Sequence, residues 1–269
     1  MTREPWAGVA SGWERYADGF RARTMPVSTW MVDAIAPQPG HTILDLAAGV
    51  GDTGFLAAEL IEPGGTLITS DVAPEMLSAA QRRAERLGLR NVRFRQINAS
   101  QPIDLEAASL DAVLCRWGYM LMDDADNAMR ETRRVLRPGG RLALAAWTQA
   151  DENRWSSLPM GLLVECGLTD PPEPGPGQFT WGPEGVIAEH LDNAGFVEYE
   201  IEAIEFPMRY TSVQEWWETT RAMSRFAGQV RIGDEAEWLD ALSHAAADHT
   251  AADGSLAIPA RTWVAVGTA

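Results

Sequence analysis

The chain has 269 residues, with 38 acidic against 22 basic side chains, a formal net charge of −16 and a sequence pI near 4.6. That balance argues against a polyanionic partner, since nucleic-acid binding draws on clustered Lys and Arg, and against an anionic membrane surface. Its two cysteines, Cys115 and Cys166, supply no metal-ligand spacing and no disulfide framework. No signal-peptide pattern follows Glu4 and Pro5, and no apolar run reaches the roughly 18 residues of a membrane span, so a cytoplasmic protein is expected.

Residues 1–35 carry Trp6, Trp13, Tyr16, Phe20 and Trp30, a density that suits helices laid over a cleft or packed on a sheet. Residues 42–147 then alternate between strand and helix patterns. Strands are expected at Thr42–Leu46, Thr66–Ser70, Val92–Ile97, Leu110–Leu114 and Arg141–Trp147. Pro74 opens one helix and Gly88 stops it, with Met76, Ala80, Ala84 and Leu87 on a single face. Arg82, Arg83 and Arg86 read as its solvated side. A helix over Asp124–Leu136 is expected to end before Pro138-Gly139-Gly140. Such alternation implies right-handed crossovers and a mostly parallel sheet covered on both faces. Beyond Trp147, prolines 171, 172, 174, 176 and 183 mark a linker. A helix near Pro183–Asn193, a strand over Val197–Ile204, helical structure across 211–249 and a strand at Thr262–Val266 complete the chain. Gly233–Asp240 reads as a wet helix face.

The first strand carries Asp45 into a turn, Ala47-Ala48-Gly49-Val50-Gly51-Asp52-Thr53-Gly54. As a string this contains G-x-G-x-x-G, the dinucleotide fingerprint. A dinucleotide sets its pyrophosphate on the helix N-terminus, where Asp52 stands, with Asp45 just before the turn. Two carboxylates repel a pyrophosphate and suit a cationic ligand. S-adenosylmethionine, with an ammonium, a sulfonium and no phosphate, fits; helix capping by Asp52 is the plainer reading. In open α/β sheets ligands lie beyond the strand C-termini. Asp71, at the end of the second strand, could accept from both ribose hydroxyls, Asn98-Ala99 could meet the adenine edge, and Arg116-Trp117-Gly118 would face the reacting end.

Three pieces in order, Leu44-Asp45-Leu46-Ala47-Ala48-Gly49-Val50-Gly51, Ser70-Asp71-Val72-Ala73-Pro74-Glu75-Met76-Leu77 and Leu136-Arg137-Pro138-Gly139-Gly140-Arg141, resemble the class I S-adenosylmethionine-dependent methyltransferases. The similarity is to the small-molecule branch with the ubiquinone and menaquinone C-methyltransferases; it covers roughly residues 10–150 and echoes from Gly182 onward. It implies a Rossmann-like, doubly wound α/β fold: a seven-stranded, mostly parallel sheet with an antiparallel last strand and a helical insert. In one domain, residues 1–35 would be a helical cover and 36–150 the cofactor core. Segments 151–181 and 207–255 would face the acceptor, with 182–206 and 256–269 supplying the final helix and strands. By that resemblance Asp45 would hold the methionine ammonium, directly or through water, and Ala47, Gly49 and Gly51 would line the methionine. Asp71 would bind the ribose, Val72 and Met76 the adenine, and Asn98 and Ala99 its amino group. Arg116 and Trp117 would lie beside the methyl, with Tyr16 and Met25 reaching in from the cover.

Ala47 replaces a common glycine, which costs little if its φ is negative, and Asn98 replaces a common aspartate, giving a weaker adenine contact. Asp170-Pro171-Pro172-Glu173 imitates an element of DNA amino-methyltransferases but falls past the fifth strand. Methyl transfer needs collinear placement in a dry site and, for some acceptors, a base. His41 lies at the far edge, and His190, His244 and His249 are expected on exposed helix faces, so no base is assigned. Trp216, Trp217, Met223 and Phe226 form an apolar stripe, either core or cleft wall. The expected function is methylation of a small apolar or aromatic metabolite; a nicotinamide-dependent oxidoreductase and a non-catalytic S-adenosylmethionine binder are the alternatives.

Overall fold

A computed structural model describes residues 4–171, 174–225, 230 and 232–269. Seven strands, β1 (Thr42–Asp45), β2 (Thr66–Asp71), β3 (Val92–Gln96), β4 (Leu110–Arg116), β5 (Leu136–Trp147), β6 (Val197–Tyr210) and β7 (Leu256–Thr268), join in the order β3-β2-β1-β4-β5-β7-β6. The first five are parallel, and β7 runs antiparallel to both β5 and β6. Ile43 and Leu44, Ala112 to Leu114, and Leu142 to Ala146 are all buried, as a sheet covered on both faces requires. Strand order reverses between β1 and β4, which opens a crevice at their C-terminal ends. This is a Rossmann-like, doubly wound α/β fold, as the resemblance implies.

The helices are α1 (Glu4–Ala7), α2 (Ala10–Ala34), α3 (Asp52–Leu60), α4 (Pro74–Leu87), α5 (Ala125–Val135), α6 (Arg154–Glu165), α7 (Val186–Ala194), α8 (Val213–Met223) and α9 (Glu235–Ala245). In α4 Pro74 opens the helix and Gly88 ends it at φ 73°, as expected; Met76, Ala80 and Ala84 are buried, but Leu87, placed on the same face by its spacing, is 49% exposed in the last turn. α2 divides at Pro26. Beyond it Val27, Met31 and Val32 enter the main core, whereas Ala10 and Ala17 join a separate small cluster with Val50, Ala73, Met76 and Ala79.

Three boundaries differ from the sequence reading. β5 starts at Leu136, directly from α5, because Leu136 pairs with Leu110 before a register shift to Arg141 opposite Ala112; Gly139, at φ 78°, sits in that irregularity rather than in a free turn. β6 and β7 continue past Ile204 and before Thr262 as a ribbon from Val197↔Thr268 to Tyr210↔Leu256. Prolines 207 and 259 face each other in it, tolerated because β5 pairs only with Thr262–Thr268 of β7. The helical stretch 211–249 resolves into α8, α9 and a short 3-10 turn. Phe226, Pro172 and Glu173 lie outside the described residues. Among those described, no helix is long and apolar enough to cross a membrane.

Candidate cofactor and acceptor site

The glycine turn is tied to both neighbouring strands: Leu46 N–H donates to Leu114 O (2.8 Å) and Ala48 N–H to Ser70 O (2.8 Å). Its backbone is left-handed at Ala47 (φ 54°), Gly49 (φ 56°) and Gly51 (φ 88°). A Cβ on Gly49 would meet nothing within 4 Å, so this glycine borders open space where a ligand can approach the main chain. A Cβ on Gly51 would lie 2.4 Å from the Phe55 ring, and one on Gly54 would lie 2.5 Å from Asp45 Oδ2. Those two serve packing. At Ala47 the positive φ overturns the expectation of an inexpensive replacement, because a left-handed alanine costs about 1–2 kcal/mol. Gly118 beneath makes room, since its own Cβ would come within 2.9 Å of Ala47 Cβ.

Asp45 is buried, and its Oδ2 accepts from Gly54 N–H at 2.9 Å. Burial pushes its pKa up to about 7; the Gly54 N–H and the Arg116 charge oppose that rise, while Asp52 and Asp71 add to it. Asp71 accepts from Gly49 N–H (3.0 Å) on one oxygen and from Ala73 N–H (2.9 Å) on the other. Burial pushes it up to about 6 against those backbone bonds. Each oxygen keeps a lone pair.

Asp52 departs from both sequence readings. Gly51, not Asp52, is the N-cap of α3, and no side chain caps there. The carboxylate is locked between two guanidiniums, Arg83 Nη1 on Oδ1 (2.7 Å) and Arg116 Nη2 on Oδ2 (3.1 Å). Its charge is countered within the protein and does not face a ligand. Arg83, assigned to the solvated face of its helix, is in fact 2% exposed and also donates to Val50 O (2.7 Å). The missed signal was its spacing, three residues from Ala80 and seven from Met76 on the buried stripe.

Val72 and Met76 are buried beside the turn, Met76 within the cluster that holds Val50. Gln96 Nε2 donates to Val72 O (3.0 Å), which draws the end of β3 toward Asp71; Asn98 follows half-buried, accepting from Ser100 N–H (3.2 Å), and Ala99 is buried. Arg116 turns into the cover helix, donating to Thr24 Oγ1 (2.9 Å) and Ser28 Oγ (2.8 Å). Trp117, at φ 58°, donates its indole N–H to Thr262 Oγ1 (3.0 Å) and stacks on Trp147 at 4.1 Å. Tyr16 and Met25 are both half-buried but nine residues apart, about half a turn out of phase on α2. Met25 shares the flank of Glu14 and Asp18, which pair with α4, while Tyr16 shares that of Arg23, which pairs with Glu215 of α8. The structure does not bring the two to one face.

An aromatic run crosses the strand ends: Trp13 to Phe20 (5.2 Å), Phe20 to Trp117 (5.9 Å), Trp117 to Trp147, then Trp147 to Trp155 (5.1 Å) and Phe206 (6.1 Å). Trp147, the last residue of β5, was findable by the strand-end rule; Trp155 and Phe206 carried no sequence signal. Trp216 and Trp217 are fully buried, Trp216 donating to Trp155 O (2.8 Å) and Trp217 leaning on Trp238 (5.0 Å), so their stripe is core of the insert. Of the histidines, His41 sits by Asp111 (3.8 Å) at the opposite edge and His244 is exposed. His190 is not on a free face: it stacks on Trp181 (4.2 Å) and bonds Asp126 (2.7 Å). His249 is half-buried in the 3-10 turn after α9, and Asp170 is exposed beyond α6.

Residues 27–156 match the ubiE/COQ5 methyltransferase family. Nocamycin O-methyltransferase of Saccharothrix syringae is 32% identical over 183 residues, 64% of this chain and 65% of that protein. Demethylmenaquinone methyltransferase of Thermus thermophilus is 38% identical over 113 residues, 42% of this chain and 50% of its own length. The chain thus spans from half to just under two thirds of these two relatives. Among solved structures, the YcgJ protein from Bacillus subtilis superposes with a TM-score of 0.61 at 18% identity, over 90% of this chain and 97% of that one, a likeness of fold. In sequence and fold the chain resembles the class I methyltransferases.

Proposed function

We propose that this chain transfers a methyl group from S-adenosylmethionine to a small apolar or aromatic acceptor. The observation that carries the reading is Asp71: a buried carboxylate at the end of β2, bonded to Gly49 N–H, beside open space over that glycine. Asp71 would accept from the two ribose hydroxyls, and the main chain at Ala47, Gly49 and Gly51 would line the methionine end. Asp45, one residue before the turn, would balance its ammonium. Val72 and Met76 would flank the adenine, with Asn98 and Ala99 at its edge, and Trp117 would close the reacting side. When bound, the cofactor supplies a methyl group on a sulfonium, whose departing thioether is a good leaving group.

The work left to the protein is placement and exclusion of water. Trp117, Trp147 and Phe20, pinned edge-on and stacked, offer a rigid apolar wall at the ends of β4 and β5. A flat acceptor suits such a wall. The nicotinamide alternative loses ground to Asp45, a buried carboxylate just before the turn, whereas Asp71 suits the ribose of either cofactor and Asp52 no longer counts against it. Calorimetric titration with S-adenosylmethionine, S-adenosylhomocysteine and NAD(P)H tests the reading: binding of the first two is expected, and binding of NAD(P)H alone would sink it. Turnover on a panel of phenols, quinols and amines separates an enzyme from a silent binder.

A further inference from the structure

Arg116 joins three elements at once. Its Nη1 holds Thr24 Oγ1 and Ser28 Oγ on α2, and its Nη2 holds Asp52 Oδ2 in the first turn of α3. Ser28 Oγ also meets Thr53 Oγ1 (3.2 Å), and Arg83 fixes the other Asp52 oxygen together with the Val50 carbonyl. The guanidinium lies over Phe20 (5.8 Å) and Trp117 (4.7 Å) and is 9% exposed. A continuous buried polar chain therefore runs from α4 through the glycine turn to the cover helix.

The cover helix is unevenly anchored. Past Pro26 it is embedded in the main core. Before Pro26, which offers no N–H to the Ala22 carbonyl, Phe20 still reaches the main core, but Ala10 and Ala17 rest on a small cluster over Val50 and Met76. Its ion pairs to α4, Glu14 with Arg82 and Asp18 with Arg83, each have an exposed member and contribute little, and its ties to α8 are Arg23 with Glu215 and Trp13 Nε1 to Met223 O (3.1 Å). Ala10 and Ala17 pack in one cluster with Val50 and Met76, so the first half of α2 covers the side of the turn where the cofactor reading places the ligand, and opening that side means lifting it. Lifting strips Thr24 from a guanidinium that stays nine-tenths buried, while Ser28, past Pro26, stays with it, and an orphaned donor of that kind is costly.

We propose that Arg116 is a positioning residue that fastens the first half of α2 onto the glycine turn, so that closure of residues 10–24 and occupancy of the turn are one event. This rests on the cofactor reading above. The planar fork of arginine spans Asp52, Thr24 and Ser28 together; a lysine ammonium keeps the charge but not the span.

Hydrogen exchange with and without S-adenosylhomocysteine tests it on the native protein, on Arg116→Lys, and on the double variant Thr24→Val with Ser28→Ala, which leaves the Asp52 pair untouched. In the native protein the ligand slows exchange across residues 10–24. In both variants, at saturating ligand, that protection drops roughly tenfold and the ligand dissociates roughly tenfold faster, while β1 and β4 exchange as before. Undiminished protection of residues 10–24 in the saturated variants overturns the fastening role, and so does equal loss from β1 and β4, which marks a purely structural arginine. Native protein that binds no S-adenosylhomocysteine overturns the cofactor reading and this proposal with it.

Discussion

Asp45 and Asp71 hold their protons more tightly than free carboxyls, at about 7 and about 6, because they are buried. The folded state therefore keeps protons that the unfolded chain has released, and stability falls as pH rises through this window. The ligand-free protein should melt at a higher temperature at pH 5.5 than at pH 8. On the proposed reading ribose binding wants Asp71 ionised, so the melting shift produced by S-adenosylhomocysteine should grow from pH 5.5 to pH 8. A thermal-shift series with and without ligand reads both slopes, and parallel curves would remove Asp71 from the ribose. Asp71→Ala should weaken the cofactor by at least about 100-fold, since charged hydrogen bonds to two hydroxyls are lost at about 1.5–3 kcal/mol each; calorimetry measures it. Ala47→Gly relieves a left-handed alanine at φ 54° but loosens the unfolded chain, for a net gain of about 0.5–1 kcal/mol in chemical denaturation. Asp45 and Asp71 were legible in the sequence because each ends a strand. The fate of Asp52 was not, because its partners Arg83 and Arg116 lie 31 and 64 residues on and arrive only through the fold.

Where elements meet, small residues set the distances. A Cβ on Gly12 of α2 would come 2.0 Å from the backbone oxygen of Ala222 in α8, next to the bond from Trp13 Nε1 to Met223 O (3.1 Å). Gly12→Ala must push the two helices apart and should cost about 1–3 kcal/mol. It should also weaken cofactor binding, because the first half of α2 covers the turn. Gly161 in α6 is the control: a Cβ there meets nothing, and Gly161→Ala should gain about 0.5–1 kcal/mol from helix propensity. Equilibrium denaturation of the pair should give opposite signs; equal signs would mean α2 and α8 do not touch as described. At this scale the sequence announced α4 plainly, by its proline, its glycine and its apolar stripe. It hid the length of β6 and β7, since that ribbon is held by cross-strand pairing that carries two prolines and many exposed residues no periodicity marks.

For the whole molecule, topology was readable and the acceptor side was not, for one physical reason. The reversal of strand order follows from local strand-turn-helix units, each contiguous in sequence. The aromatic wall draws on α2, the end of β4, β5, α6 and β6, so Trp13, Phe20, Trp117, Trp147, Trp155 and Phe206 come together only after the sheet has closed. Net charge acts on the same scale. S-adenosylmethionine carries one positive charge, the sulfonium beyond its balanced amino-acid end, whereas S-adenosylhomocysteine is neutral. A chain of net charge −16 attracts the first by its long-range field and leaves the second unaffected. Salt screens that field over about 8–10 Å near physiological strength. Raising the salt from 20 to 500 mM should therefore slow association of S-adenosylmethionine several-fold while S-adenosylhomocysteine associates at nearly the same rate. Stopped-flow tryptophan quenching reads both, and equal salt dependence would show that the acidity of this chain plays no part in drawing the methyl donor to its site.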